Sequence, residues 1–263
     1  MAFLQNQGAK IYWNEQGSGD PILLIMGLGY PSYLWHRTRP TLAKRYHTIA
    51  LDNRGTGQSD APPGPYSIAL MASDAAAALD AAGVERAHVF GLSMGGMIAQ
   101  EFALQYPARL KSLILGCTAP GGPNAVRAEK RVNEILKGIG LGPEEHARAM
   151  RPYVYDSATP LERIEEDLAI RRKWFPKPEA YKAQLQGIYG WEAYSRLQKI
   201  AAPTLVIHGE TDQLVPVGNA DLIAAKINGS QLVKLPHASH IFVTDQPEAS
   251  LKTIMGFLSS QSS

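Results

Sequence analysis

The sequence predicts an α/β fold in which helices cover both faces of a mostly parallel sheet. Short apolar runs alternate along the chain with longer helical patterns, and this alternation is typical of a parallel sheet. Residues 120–200 interrupt the alternation, because they carry helical patterns and no convincing strand. We therefore expect a core formed by residues 1–119 and 201–263, with residues 120–200 inserted as a helical cap, or lid.

The predicted core strands are short and apolar, as is typical of strands that a sheet buries on both faces. They cover residues 21–26, 47–51, 88–91, 110–117, 204–208 and 231–235. Ile11 and Trp13 alternate with polar neighbours, so we expect an earlier, half-exposed strand at an antiparallel edge. The predicted core helices cover residues 69–82, 95–106, 219–227 and 247–258.

The stretch at 120–200 is too long for a simple connection between two strands. Its helical patterns cover residues 126–137, 144–151, 161–174 and 179–189, and prolines at positions 143, 152, 160, 176 and 178 punctuate them. The basic run at 171–173 follows an acidic run, so we expect a solvated helix face with ion pairs one turn apart.

Charge and hydropathy exclude several classes of protein. The 263 residues include 26 basic and 24 acidic side chains, which are interspersed and give a net charge of +2. No basic stripe is present, so we expect no nucleic-acid partner. The N-terminal residues are polar and mixed, and no apolar segment is long enough to cross a bilayer. We expect a cytoplasmic protein with no membrane partner, and the oligomeric state stays open.

The chain has one cysteine, Cys117, which excludes an intrachain disulfide and fits a reducing compartment. Because Cys117 ends an apolar run, we expect a small core residue rather than a nucleophile. No CxxC or HExxH pattern occurs, so we expect no metal. The Gly-rich stretch 52–59 lacks the spacing and the lysine of a phosphate-binding loop, which indicates a structural turn held by Asp52 and Arg54. We expect no cofactor.

The strongest local motif is Gly91-Leu92-Ser93-Met94-Gly95, which matches G-x-S-x-G between a predicted strand and a predicted helix. In that context a sharp turn exposes a nucleophilic serine, and the flanking glycines remove Cβ atoms that would clash. Amides at the start of the helix also favour negative charge that develops on a substrate. We therefore predict Ser93 as the nucleophile, with a structural serine in a Gly-rich turn as the alternative.

A serine hydroxyl is a weak nucleophile at neutral pH, so it needs a base and an acid that orients the base. Two of the seven histidines, His237 and His240, share the loop that follows the last predicted strand. We prefer His240, because an apolar run and the start of the final helix follow it, and His237 is the main alternative. His208 falls inside a predicted strand, where we expect a structural role.

For the orienting acid, Asp212 fits best. It lies just beyond the strand that follows the insertion, at the edge where α/β sheets place their sites. It also keeps the expected chain order of serine, acid and histidine. Glu210 and Asp221 are weaker alternatives. Asp52 also ends a strand, but it precedes Ser93 and belongs to the Gly-rich turn.

Attack on a carbonyl builds negative charge on the substrate oxygen, so two backbone N–H donors should converge nearby as an oxyanion hole. We predict the amide of Met94, the residue after the nucleophile, as one donor. The second should come from the loop after the first buried parallel strand, where we prefer Leu28 and keep Gly27 as the alternative.

With these motifs assembled, the chain resembles the α/β-hydrolase superfamily over residues 8–258. The motifs that carry the resemblance are Gly27-Leu28-Gly29, Asp52-Asn53-Arg54-Gly55-Thr56-Gly57-Gln58-Ser59, Gly91-Leu92-Ser93-Met94-Gly95-Gly96, Gly209-Glu210-Thr211-Asp212, and His240 ahead of Gln246-Pro247-Glu248. The resemblance implies an eight-stranded, mostly parallel sheet with a helical lid inserted after the sixth strand. Met26 departs from the family pattern, in which a histidine commonly precedes the oxyanion glycine.

Within the superfamily the chain is similar to small carboxylesterases and to 3-oxoadipate enol-lactonase-like hydrolases. We therefore expect a serine hydrolase that cleaves small or medium-sized carboxylic esters through an acyl-enzyme. Its triad would be Ser93, His240 and Asp212, and its substrate a small-molecule ester or lactone. Cleavage of an enol-lactone, a thioester or a carbon–carbon bond by the same triad is the alternative, and a hydrolase-like small-molecule receptor is a third hypothesis.

Overall fold

The computed structural model describes residues 2–261, and in that range one sheet contains eight strands. They are β1 (Ala2–Asn6), β2 (Ala9–Gln16), β3 (Asp20–Ile25), β4 (Tyr46–Leu51), β5 (Ala87–Leu92), β6 (Leu110–Gly116), β7 (Thr204–Gly209) and β8 (Gln231–Leu235). Their spatial order is β1-β2-β4-β3-β5-β6-β7-β8. The pairs β1–β2 and β2–β4 are antiparallel, and the other five pairs are parallel. The predicted mostly parallel sheet is confirmed.

Strand β1 is the one strand that our interpretation of the apolar runs did not contain. Its residues alternate between half-buried and exposed positions, so it carries a weak apolar signal. It pairs with β2 across a two-residue turn, in which Gln7 and Gly8 both have positive φ. A turn of this kind matches the twist of a hairpin and therefore adds a strand to the antiparallel edge.

Ten α-helices occur in the described range. They are α1 (Arg39–Leu42), α2 (Ile68–Ala81), α3 (Met94–Gln105), α4 (Lys130–Leu136), α5 (Pro143–Val154), α6 (Leu161–Lys173), α7 (Pro178–Tyr189), α8 (Gly218–Lys226), α9 (Phe242–Asp245) and α10 (Pro247–Ser259). Within that range, no helix combines the length and the apolar character that a membrane span requires.

The side chains of the central strands alternate between two apolar clusters, one on each face of the sheet. Leu23 and Ile25 of β3 pack in the cluster that contains apolar residues of α2, α3 and α8. Ile22 and Leu24 pack in the other cluster, with residues of α1, α9 and α10. Because successive side chains of a strand point to opposite faces, a strand covered on both sides is apolar throughout. This accounts for the unbroken apolar runs of the sequence.

Helices α4 to α7 lie between β6 and β7, within the stretch predicted to be inserted. Helix α4 is shorter than the 126–137 pattern, and α5 extends beyond the end predicted for the 144–151 pattern. Helix α5 continues through Pro152 to Val154. A proline in the last turn removes one backbone hydrogen bond, but only two helical residues follow it, so the helix does not have to bend. Met150 of α5 packs in one apolar cluster and Ala180 of α7 in the other.

Candidate active site

Ser93 occupies a strained turn between β5 and α3. Its backbone has φ 59° and ψ −121°, a combination that is uncommon for a residue with a side chain. The Ser93 amide donates to the Gly116 carbonyl at 2.8 Å, and the Ser93 carbonyl accepts from the Gly96 amide at 2.9 Å and from the Thr118 hydroxyl at 2.8 Å. These bonds hold the turn in place while the Ser93 side chain lines a cavity.

The glycines of the motif have a steric function. A Cβ at Gly91 would collide with the carbonyl of Gly95, and a Cβ at Gly95 would collide with the carbonyl of Ile25 in β3. The turn can therefore pass this close to the sheet only where both positions lack a side chain. The spacing G-x-S-x-G is thus fixed by the packing of α3 against two neighbouring strands.

His240 and Asp212 form a buried pair on the loops that follow β8 and β7. The His240 Nδ1 lies 2.8 Å from the Asp212 Oδ2. The other carboxylate oxygen accepts from the amides of Leu214 and Val215 at 2.9 and 2.8 Å. Since an ionised carboxylate is only an acceptor, His240 must donate from Nδ1, which leaves Nε2 as the basic nitrogen. His240 lines the same cavity as Ser93.

The carboxyl of Asp212 is held in its ionised form. Burial alone would raise its pKa, but the charge of His240 and hydrogen bonds from His208 and His240 outweigh burial and hold the pKa well below its usual range. His208 lies in β7, as predicted, with its Nε2 3.3 Å from the Asp212 carboxylate and 2.8 Å from the carbonyl of Val215. Sequence reasoning assigned His208 only a structural role and missed its contact with Asp212, because the contact forms only when the turn after β7 folds back.

The alternatives considered for the base and the acid lie elsewhere. His237 is exposed, and its backbone carbonyl accepts a hydrogen bond from the Gln246 side-chain amide. Glu210 is exposed, and Asp221 is exposed and pairs with Lys234 at 2.8 Å. The structure therefore places His240, paired with Asp212, on the cavity that Ser93 also lines, and leaves these three alternatives at the surface.

Cys117 lies beside the His240–Asp212 pair, one residue beyond the end of β6. Its sulfur, a carboxylate oxygen of Asp212 and a ring nitrogen of His240 lie within 4.8 Å of one another, which is the spacing of a possible metal site. A metal would need the thiolate. However, burial and the charge of Asp212 raise the pKa of the Cys117 thiol well above its usual range, and the thiol exchanges hydrogen bonds with the backbone of Gly209 and Ser239. This donor set fits a hydrogen-bonded core cluster.

The two residues predicted to supply the oxyanion-hole amides lie beside the cavity. Leu28 and Met94 both line the cavity, and neither amide donates to an acceptor within the described residues. The loop that contains Leu28 runs directly beside the nucleophile, since a Cβ at Gly27 would lie 3.0 Å from the Cβ of Ser93. The two predicted donors therefore belong to residues that line the same cavity as Ser93.

This loop is held by two buried amide side chains. The Asn53 amide donates to the carbonyl of Met26 at 2.8 Å, and the Gly29 amide donates to the Gln184 Oε1 at 2.9 Å. The Gln184 Nε2 in turn donates to the carbonyl of Arg54 at 2.8 Å. Met26, which departs from the family pattern, is buried, and its loop is fixed by these bonds instead. Sequence reasoning missed Gln184, because a polar residue in a helix of the insertion carries no signal of its own.

The cavity has a volume of about 150 Å³, which is the size of a site that holds a benzene ring. Most of its lining is apolar, and includes Met26, Leu28, Leu92, Met97, Met150, Val154, Ile188 and Val215. Three of the aromatic and methionine side chains of the insertion border it, namely Met150, Tyr181 and Tyr189. Arg171 borders it too, so the expectation of a solvated 171–173 run was wrong at this position: packing of α6 against the core buries Arg171.

Comparison with known proteins places this site in a family. Residues 20–136 and 171–247 match the family described as alpha/beta hydrolase fold. The chain is 34% identical over 262 residues to the "Putative carbamate hydrolase RutD" of Azorhizobium caulinodans, and the match covers 98% of each chain. It is 30% identical to 3-oxoadipate enol-lactonase 2 of Acinetobacter baylyi, over 94% of this chain and 92% of the relative.

A solved structure extends the likeness to three dimensions. The enol-lactonase from Burkholderia xenovorans superposes with a TM-score of 0.88 and 28% sequence identity, covering 98% of this chain and 100% of the other. The sheet topology, the strained Ser93 turn and these matches agree, and the chain belongs to the α/β-hydrolase family as a hydrolase.

Proposed function

We propose that this protein cleaves small carboxylic esters through an acyl-enzyme on Ser93, with His240 as general base and Asp212 as the residue that orients it. The observation that carries the proposal is the 2.8 Å bond between His240 and Asp212 on the wall of the cavity that Ser93 enters. A buried, ionised carboxylate behind an imidazole is the arrangement that activates a serine hydroxyl.

The reaction begins when the Ser93 Oγ attacks the ester carbonyl and the His240 Nε2 takes the hydroxyl proton. The carbonyl oxygen becomes an oxyanion, to which the amides of Leu28 and Met94 donate. Because Asp212 stays ionised, it stabilises the imidazolium that forms. When the oxyanion collapses, the carbon–oxygen bond of the alcohol breaks, and His240 delivers its proton to the departing alcohol. The acyl group is now bonded to Ser93.

Release of the acyl group repeats these steps with water. His240 takes a proton from a water molecule, whose oxygen attacks the acyl carbonyl, and the same two amides bind the second oxyanion. Collapse breaks the bond to the Ser93 Oγ, which recovers its proton from His240 while the carboxylic acid leaves. An apolar cavity of about 150 Å³ favours substrates with short acyl or alcohol groups.

Hydrolysis of an enol-lactone is the second candidate, and the relatives that are named enol-lactonases favour it. The same steps apply, but the leaving enol stays attached to the acyl group, because the bond that breaks lies in a ring. Carbamate cleavage would follow the same route, in line with the name of another relative. We also infer that residues 120–200 act as a lid, since several of their side chains line the cavity that contains Ser93.

Initial rates on p-nitrophenyl esters of increasing acyl length test the proposal, with Ser93→Ala as the control. We expect turnover on the acetate and butyrate esters, a decline with longer chains, and loss of turnover in Ser93→Ala protein of unchanged circular dichroism. Turnover that survives Ser93→Ala would contradict the proposal, as would a folded wild-type protein that cleaves none of the esters. Rates on an enol-lactone under the same conditions separate the two candidates.

A further inference from the structure

Arg171 is a buried cation in the wall of the candidate active site. It lies in the last turn of α6, is 6% exposed, and borders the cavity that contains Ser93. Its neighbour Arg172 instead has a side chain that is 48% exposed and lies 3.5 Å from Glu144 and from Glu165. The two adjacent arginines therefore have different environments. Arg172 has acidic neighbours, although these are not the partners one turn away that the sequence predicted.

No counter-ion for Arg171 is present among residues 2–261, where no carboxylate oxygen lies within 4.0 Å of its guanidinium. Asp167, one turn earlier on α6, has other hydrogen-bond partners. One of its oxygens lies 2.9 Å from His36, and the other accepts from the hydroxyls of Tyr155 and Thr244 at 3.2 and 2.6 Å. The Arg171 Nε is buried without a hydrogen-bond partner. An unpaired buried charge is costly, which suggests that a partner arrives from outside the chain.

The groups that do contact Arg171 leave its charge uncompensated. Its guanidinium carbon lies 4.1 Å from the centre of the Tyr30 ring and 5.6 Å from that of Phe175. A guanidinium stacked on aromatic rings keeps its N–H groups directed along its own plane, where they can bind an anion. Burial raises the pKa of Tyr30, so its hydroxyl stays neutral. Burial and the charge of Arg171 lower the pKa of His146, so that ring is neutral as well.

The charged residues around the cavity also favour an anionic ligand. Among its lining residues, all within the described range, the charged side chains are Arg127 and Arg171, and none is acidic. Arg127 is exposed and donates to the carbonyl of Gly122. Arg171 also borders a second cavity, of about 690 Å³, between the inserted helices. Its side chain therefore lines two cavities, the one that contains Ser93 and this larger one.

We propose that Arg171 binds a carboxylate of the substrate, and that the natural substrate is a small ester or lactone that carries a free carboxylate group. This inference rests on the proposed function of Ser93. The planar guanidinium would hold the carboxylate through paired hydrogen bonds, on the side of the cavity contributed by α6. The apolar lining around Ser93 would contact the short chain that joins the carboxylate to the scissile bond.

A matched pair of substrates tests the proposal. Monomethyl succinate carries a carboxylate where methyl 4-methylpentanoate carries an isopropyl group of the same shape. The kcat/KM ratio of the two esters is measured by acid release for wild-type, Arg171→Met, Arg171→Lys and Arg172→Met proteins. We expect the wild type to prefer the anionic ester. Arg171→Met should lower the kcat/KM ratio about 100-fold, mainly because KM for the anionic ester rises, while kcat/KM for the neutral ester changes little. Arg171→Lys should retain part of the preference, and Arg172→Met all of it.

A wild-type protein that prefers the neutral ester would overturn the proposal, as would Arg171→Met lowering both rates equally. Binding of monomethyl succinate to Ser93→Ala protein, measured by calorimetry, separates this proposal from the proposed function. If the wild type cleaves neither ester but the Ser93→Ala protein binds the anion and loses that binding with Arg171→Met, the esterase proposal fails and the carboxylate site stands. If anion binding does not depend on Arg171 in either assay, the carboxylate site is wrong.

Discussion

The Gln184 side chain on α7 accepts a 2.9 Å hydrogen bond from the amide of Gly29, the residue that follows the predicted oxyanion donor Leu28. Gln184 is fully buried, and its amide group donates to the carbonyl of Arg54 and the hydroxyl of Thr56, both at 2.8 Å. One side chain of the insertion thus connects the loop of Leu28 and Gly29 to the turn that follows β4. The geometry of the candidate site therefore depends on how the insertion packs on the core.

Replacing Gln184 by leucine should impair both activity and stability. The buried Gly29 amide would lose its acceptor, which costs about 1–3 kcal/mol in the free energy of unfolding. The Leu28 amide would lose its fixed position, so kcat for ester hydrolysis should fall about tenfold or more. Urea denaturation and initial rates check these outcomes. Gln186→Leu on the exposed side of the same helix is the matched control. Equal behaviour of the two variants would show that Gln184 does not position the loop.

Gly27→Ala should reduce activity with little loss of stability. The new Cβ would lie 3.0 Å from the Ser93 Cβ and 3.2 Å from the carbonyl oxygen of Leu92, both closer than most neighbours of a Cβ atom. Since one displaced oxyanion donor costs a factor of about 100 or more in kcat, we expect a loss of that order. Gly256→Ala is the control, because a Cβ there meets nothing within 4 Å. An active Gly27→Ala protein would mean that the loop is not held against Ser93.

The stability of the protein should depend on the ionisation of Asp245, which joins the insertion to the loop of His240. Asp245 accepts from the Thr159 hydroxyl at 2.6 Å and from the Ser239 amide at 2.7 Å. Burial raises its pKa from 3.8 to about 6, with the charge of Asp156 adding to the rise. The folded protein therefore holds this proton more tightly than the unfolded chain, so the stability that it contributes is lost as the pH rises through about 6.

Comparison with Asp245→Asn isolates this titration. The wild-type free energy of unfolding, relative to that of the variant, should fall by roughly 2–3 kcal/mol between about pH 4 and pH 6 and stay level above. Urea denaturation of both proteins at half-unit intervals of pH measures the difference. If the wild-type free energy of unfolding, relative to that of the variant, rose over this interval, the pKa of Asp245 would be lowered by folding instead of raised. If it did not change with pH, the ionisation of Asp245 would have no effect on stability.

The sequence predicted the parts of the molecule whose signals are local. Ser93 lies in a five-residue motif whose glycines are required by close backbone packing, and Asp212 and His240 follow strands whose apolar runs are long enough to recognise. The strands that precede them are parallel, so their carboxyl ends lie at one edge of the sheet, where Ser93 and His240 line one cavity. Local motifs and their order along the chain were therefore enough to select these residues.

Residues whose role depends on tertiary packing were missed or misinterpreted. Arg171 belongs to a charged run that is typical of an exposed helix, and only the docking of α6 buries it. Gln184 is one polar residue in an amphipathic pattern, and its function arises from contacts with segments more than 120 residues away. The contact of His208 with Asp212 required the turn after β7 to fold back, which periodicity does not reveal.

Covalent labelling tests the central claim, that Ser93 is a nucleophile activated by His240. Wild-type, Ser93→Ala and His240→Ala proteins are incubated with diethyl p-nitrophenyl phosphate, which transfers a diethylphosphoryl group to an activated serine and releases p-nitrophenol. Intact-mass and peptide mass spectrometry then locate the adduct. We expect one adduct on Ser93 in the wild type, none in Ser93→Ala, and labelling slowed about a thousandfold or more in His240→Ala. An unlabelled Ser93 in folded wild-type protein, or undiminished labelling of Ser93→Ala, would contradict this claim.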